Sequence, residues 1–92
     1  MLPWSRVPEI SRFFGIVIQM FYNDHSPPHF HAKYGDHTAR YEIATLAVLT
    51  GALPRRPHAF VLEWASQHRD ELLVDWQLAR VSRPLLPVAP LE

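Results

Sequence analysis

A single switch in hydrophobic period, at Pro54, constrains what this chain can fold into. Before it, apolar residues alternate along the chain. Ile16, Ile18 and Met20 interleave with Val17, Gln19 and Phe21. Phe30, Ala32 and Tyr34 do so with His29, His31 and Lys33, and Ala39, Tyr41 and Ile43 with Thr38, Arg40 and Glu42. A repeat of two is that of a β-strand, whose successive side chains point to opposite faces. After the switch, Phe60, Val61, Trp64, Ala65 and His68 recur at helical spacing, as do Leu72, Leu73, Trp76 and Ala79. Pro54 and Pro57 bracket Arg55-Arg56, and proline suits the first turn of a helix.

The expected architecture is α+β: a small antiparallel sheet of three to four strands in the N-terminal half, covered on one face by helices. Strands are expected over Phe13–Tyr22, His29–Tyr34 and Thr38–Ile43, with a short fourth at Leu46–Leu49. Asn23 to Pro28 reads as a loop, and Gly35-Asp36 as a hairpin turn. The helical part admits two solutions: two helices, with Asp70 as N-cap of the second, or one long kinked helix from His58 to Val81, since no glycine or proline forces a break. One domain spans residues 1–92: an extended arm over 1–11 with Pro3 and Pro8, a sheet region over 12–50, a helical region over 54–81 and a proline-rich tail over 82–92. The tail is too rich in proline for a helix or a central strand and lies on the body or on a partner.

Composition narrows the chemistry. At 92 residues the chain has room for one core. Its 48% hydrophobic and 20% charged content is that of a globular domain. It has no cysteine, which excludes disulfides, thiolate metal sites and cysteine nucleophiles. Nine basic residues balance nine acidic ones, so no chain-wide basic footprint for nucleic acid exists, although a local patch is compatible with this balance. No apolar run approaches the roughly 20 residues of a membrane span, and the expected location is the cytoplasm.

The residues that carry chemistry cluster around the start of the second strand. His25, His29 and His31 fall within seven residues, with Asp24 adjacent. His29 and His31 are two apart on a strand and share a face, and His25 sits on the loop that leads in. Three imidazoles so placed form a candidate open site for a divalent metal such as zinc. A metal-free alternative uses the same histidines for proton transfer near neutral pH, with Arg12, Lys33 or Arg40 stabilising an anion. A third alternative is purely structural, with the rings on a solvated face.

Eight of the nine basic residues are arginine, whose fork matches phosphate and carboxylate. Arg55 and Arg56 at the helix start are candidates for binding RNA or an acidic partner, against the alternative of a solvated pair. Trp4, on the proline-flanked arm, is a candidate interface anchor, whereas Trp64 and Trp76 fall on apolar helical faces and read as core.

Several segments together resemble a bacterial family, the domain of unknown function 4160. They are Pro8 to Ile18, Tyr22 to Ala32 with its Asp24-His25-Ser26-Pro27-Pro28-His29-Phe30-His31 stretch, Gly51 to Arg56, and Trp64 with His68 to Leu73 and Trp76. Ser26 stands where the family often has asparagine or alanine. The resemblance implies one half of a small two-protein module that resembles toxin–antitoxin pairs. It implies a cognate partner resembling the domain of unknown function 2442 family. It carries no catalytic residues over. Three functions follow as expectations: a toxin-like half acting on RNA, which would make the chain a ribonuclease; a non-catalytic binding or regulatory module, self-association included; and a histidine-based metal-binding protein.

Overall fold

A computed structural model describes residues 8–92. Five antiparallel strands form one sheet in sequence order: β1 (Glu9–Phe13), β2 (Ile16–Gln19), β3 (His29–Tyr34), β4 (His37–Glu42) and β5 (Val48–Gly51). Two helices follow, α1 (Arg55–Gln67) and α2 (Arg69–Arg80). The α+β architecture is the expected one, with one strand more.

The extra strand has a local cause. Phe14 and Gly15 both take positive φ, 51° and 79°, between the paired residues Phe13 and Ile16. Positive φ at both central positions is what a tight two-residue hairpin of the I′ kind needs. The turn splits the expected Phe13–Tyr22 strand, and the end of the expected arm, from Glu9, becomes β1. Phenylalanine at positive φ is uncommon, so the turn was hidden inside an apolar run. By contrast Gly35, at φ 57°, opens the β3–β4 hairpin at the expected place.

The alternation seen in the sequence sorts the two faces of the sheet. Ile16, Ile18, Phe30, Ala32, Ala39, Tyr41 and Ile43 are buried on the inner face with Phe13. From α1, Val61, Trp64 and Ala65 pack into this core, and α2 adds Leu72 and Trp76. The Trp64 ring lies 5.3 Å from Phe13 and 5.8 Å from Phe30, and Phe30 stacks on Tyr41 at 5.4 Å. On the outer face, cross-strand pairing aligns Gln19, His31, Arg40 and Thr50 in one row, and Val17, Lys33 and Thr38 in the next.

The helical half contains two helices. The break falls at His68, whose φ of −131° leaves the helical region, and the second helix starts there rather than at Asp70. Asp70 and Glu71 lie in its first turn, where carboxylates favour the macrodipole.

The tail lies on the body. Val88 and Leu91 are buried, and the Trp64 indole N–H donates to the Ala89 carbonyl at 2.8 Å. The Val88 amide donates to Ile10 at 2.8 Å, and the Leu86 amide to the Asp75 carboxylate at 2.8 Å. Proline removes ladder donors, so the tail is held by these few bonds and two apolar anchors rather than by a strand pairing. Among the described residues no helix is long and apolar enough to cross a membrane.

Candidate metal centre

The loop that follows β2 turns back over the start of β3 and brings a carboxylate between two imidazoles. Asp24 Oδ2 lies 3.0 Å from His29 Nε2 and 3.0 Å from His31 Nε2. Among the described residues Asp24, His29 and His31 form the group of potential ligands whose donor atoms all lie within 4.8 Å of one another.

His29 is held most firmly. Its side chain is 2% exposed, its ring lies 5.3 Å from Trp76 of α2, and its Nδ1 lies 2.7 Å from the Pro27 carbonyl. A carbonyl can only accept, so Nδ1 carries the proton and donates. In the neutral ring Nε2 then presents a lone pair towards Asp24, itself an acceptor. Two acceptors at 3.0 Å are stable only if a proton or a cation lies between them. A backbone carbonyl fixing one ring nitrogen so that the other is free to ligate is the usual outer-shell arrangement of metal-binding histidine.

The spacing also suits a metal. With ligand bonds of ~2.1 Å, donors at right angles around an ion lie ~3.0 Å apart, and tetrahedral ones ~3.4 Å apart. The observed 3.0 Å from Asp24 to each histidine matches the first and needs only a small opening for the second. Two histidines and one carboxylate on one side of an ion leave its other positions open.

Electrostatics agree with a charged carboxylate. Burial pushes the Asp24 carboxyl up, but the hydrogen bond from His31, the His25 amide and the charge of both histidines outweigh it, and its pKa lies below the ordinary value. Burial holds the His31 imidazole below its ordinary pKa against the pull of Asp24, with His29 and Arg40 acting in the same direction as burial. A neutral imidazole is the ligating form.

The other sequence candidates fall into distinct places. His25 is exposed and its ring is not in the cluster; its amide donates to Asp24 Oδ1 at 2.9 Å. Asp24 therefore replaces it in the expected trio, because adjacent loop residues point different ways and only one faces the strand. Arg40 lies directly across from His31 on β4, and Lys33 is exposed two residues along β3 on the same face. Arg12 stands apart on β1 in a two-bond pair with Glu9, at 2.9 and 2.8 Å. Arg55 and Arg56 are exposed in the first turn of α1, with Arg56 over the Phe60 ring at 5.7 Å. Trp4 lies outside the described residues.

Two hollows border the candidate ligands. One, of about 280 Å³, is lined by Asn23, Asp24, Ser26 and Arg80. The other, of about 180 Å³, is lined by His31, Thr38, Ala39, Arg40, Thr50 and Gly51. Arg80 and Asp24 were missed as site residues. A carboxylate five and seven residues before two strand histidines was the available signal for Asp24; nothing local signals Arg80.

Neither the curated proteins nor the solved structures include a significant match to this chain. A family model described as Domain of unknown function (DUF4160) matches residues 15–77, more than half of the chain and all three members of the cluster. The chain belongs to the DUF4160 family.

Proposed function

We propose that this protein binds a divalent first-row metal ion such as zinc at Asp24, His29 and His31, in an open two-histidine, one-carboxylate centre with hydrolytic potential. The observation that carries the reading is the orientation of His29. Its Nδ1–H is spent on the Pro27 carbonyl, so Nε2 faces Asp24 with a lone pair. A metal ion resolves that opposition and takes His31 Nε2 as its third ligand. An ion held by three protein ligands keeps a position for water and lowers that water's pKa to about 7. Of the three functions open at the level of sequence, this is the one for which the side-chain geometry speaks.

The test is zinc binding by isothermal titration calorimetry on protein purified without a histidine tag. One equivalent should bind. His29→Ala and Asp24→Ala should each weaken binding by roughly 10-fold or more, the scale of losing a ligand or its support. His25→Ala should leave affinity unchanged. Equal losses for His25→Ala and His29→Ala would remove this reading.

A further inference from the structure

The outer face of the sheet carries a second feature, which shares only His31 with the metal centre. The hollow of about 180 Å³ sits where β3, β4 and β5 run side by side, on the row His31, Arg40 and Thr50. The residues that line it come from all three strands, and four of them, His31, Thr38, Arg40 and Thr50, have side chains able to donate a hydrogen bond. No carboxylate lines it. Arg40 is half-buried and aimed: its Nε donates to Thr50 Oγ1 at 2.7 Å, which fixes the guanidinium plane. Among the described residues no acidic side chain lies within ion-pair distance of Arg40, whereas Arg12 on the same sheet is fully engaged by Glu9. The terminal nitrogens of Arg40 thus keep their donors for something outside the chain. Thr50 Oγ1, having accepted from Arg40, still has a proton to donate.

The hollow and the metal centre share one residue. With His31 Nε2 given to a metal, the ring proton sits on Nδ1, on the other side of the imidazole. The ring then ligates on one side and donates on the other. Donor-bearing residues spread over three strands suit a tetrahedral oxyanion better than a planar carboxylate, which offers only two oxygens in one plane. The arginine fork matches two of the oxygens of a phosphate.

We infer that this hollow binds the phosphate group of a phosphate ester, gripped by Arg40 with Thr38, Thr50 and His31 as further donors, and that a phosphate ester is therefore the substrate class of the adjoining metal centre. The substrate assignment and the His31 donor rest on the metal reading above; the grip of Arg40 with Thr38 and Thr50 does not.

The experiment follows backbone amides of the full ¹⁵N-labelled chain, loaded with one equivalent of zinc, during titration with methyl phosphate, dimethyl phosphate or acetate. The expected result is saturable shifts at Thr38, Arg40, Thr50 and Gly51 with one or both phosphates. A preference for dimethyl phosphate assigns a diester, and a preference for methyl phosphate a monoester. Arg40→Gln should weaken phosphate binding by at least about tenfold, the scale of a lost charge-assisted bidentate contact, with zinc affinity unchanged. Arg40→Lys, which keeps the charge without the fork, should fall between, and it serves as the test if the glutamine variant loses its dispersed spectrum. Acetate binding as tightly as phosphate, shifts confined to other strands, or equal phosphate affinity in both Arg40 variants and the parent would overturn the inference. Phosphate bound in the hollow by a protein that takes up no zinc would overturn the metal reading and the substrate assignment, and leave the anion site standing. Zinc bound with no phosphate in the hollow would overturn this inference alone.

Discussion

Replacing Gly51 by alanine should damage this fold far more than replacing Gly35, although both glycines have positive φ, Gly51 at the end of β5 and Gly35 in the β3–β4 turn. The φ angles are 75° and 57°, so both variants put an L side chain in the left-handed region at ~1–2 kcal/mol. Restricting the unfolded chain returns ~0.4–1 kcal/mol in each case. At Gly35 that is the whole effect, because a Cβ there meets nothing within 4 Å. At Gly51 the Cβ would sit 2.2 Å from the Thr38 carbonyl oxygen and 3.1 Å from Ala39 Cα. These are backbone atoms and cannot rotate away. The strand must shift by about an ångström, which disrupts the 3.0 Å bond from the Ala52 amide to that carbonyl and the neighbouring ladder. Two such bonds at ~1 kcal/mol each add ~2 kcal/mol. The expected losses are therefore ~1 kcal/mol for Gly35→Ala and ~3 kcal/mol for Gly51→Ala. For a domain of this size each kcal/mol lowers Tm by ~4–8 °C. Thermal unfolding followed by circular dichroism should then show losses of ~4–8 °C and ~12–24 °C. Gly51 also lines the hollow beside Arg40, so the variant should weaken phosphate binding while zinc binding at Asp24, His29 and His31 persists. Equal Tm losses for the two variants would mean that β5 yields freely, and would refute the close-approach argument.

Three further predictions rest on other parts of the molecule. Asp75 is fully buried, accepts from the Leu86 amide through Oδ1 and leaves Oδ2 without a partner, and burial raises its pKa, with the Leu86 bond opposing and Glu71 adding. A pKa raised on folding stabilises below the unfolded value and is lost as pH rises through the folded one. Asp75→Asn, which keeps the acceptor and removes the charge, should gain ~1 kcal/mol at pH 7 and almost nothing at pH 3; urea unfolding at both pH values checks this, and an equal effect at both would count against it. Deleting residues 85–92 removes the buried Val88 and Leu91 and the acceptor of the Trp64 indole, and should cost ~4 kcal/mol or more, read as loss of the near-ultraviolet dichroism of tryptophan. Zinc at about 100 times its Kd should stabilise the fold by ~2.7 kcal/mol, seen as a rise in Tm that a chelator reverses and that His29→Ala cuts to about half or less.

Much of the architecture was legible because it is written in short-range periodicity. The alternation over His29–Tyr34 and Thr38–Ile43 reappears as the two faces of β3 and β4, with Phe30, Ala32, Tyr41 and Ile43 inside and Lys33 outside. The spacing of Val61, Trp64, Leu72 and Trp76 reappears as the buried stripes of α1 and α2. The β1–β2 turn was not legible, because it places Phe14 rather than a turn-forming residue at its first position. The break at His68 was not legible either, because no residue there forces it.

The candidate site divides the same way. The sequence by itself put His29 and His31 on one face of one strand, since a period of two leaves no other choice. It also put Arg40 and Lys33 on strands of the same small sheet. Which third group joins the histidines was a tertiary matter. The path of the Asn23–Pro28 loop selects Asp24 and turns His25 to solvent, and the Pro27 carbonyl sets which nitrogen of His29 faces inward. Pairing register, another property no single strand carries, set Arg40 opposite His31 and Thr50 opposite Arg40. The tail was decided last, by the packing of Val88 and Leu91 and the reach of the Trp64 indole across 25 residues to Ala89. Local pattern fixes the direction of a side chain relative to its own element. Only the meeting of elements fixes what lies at the end of it.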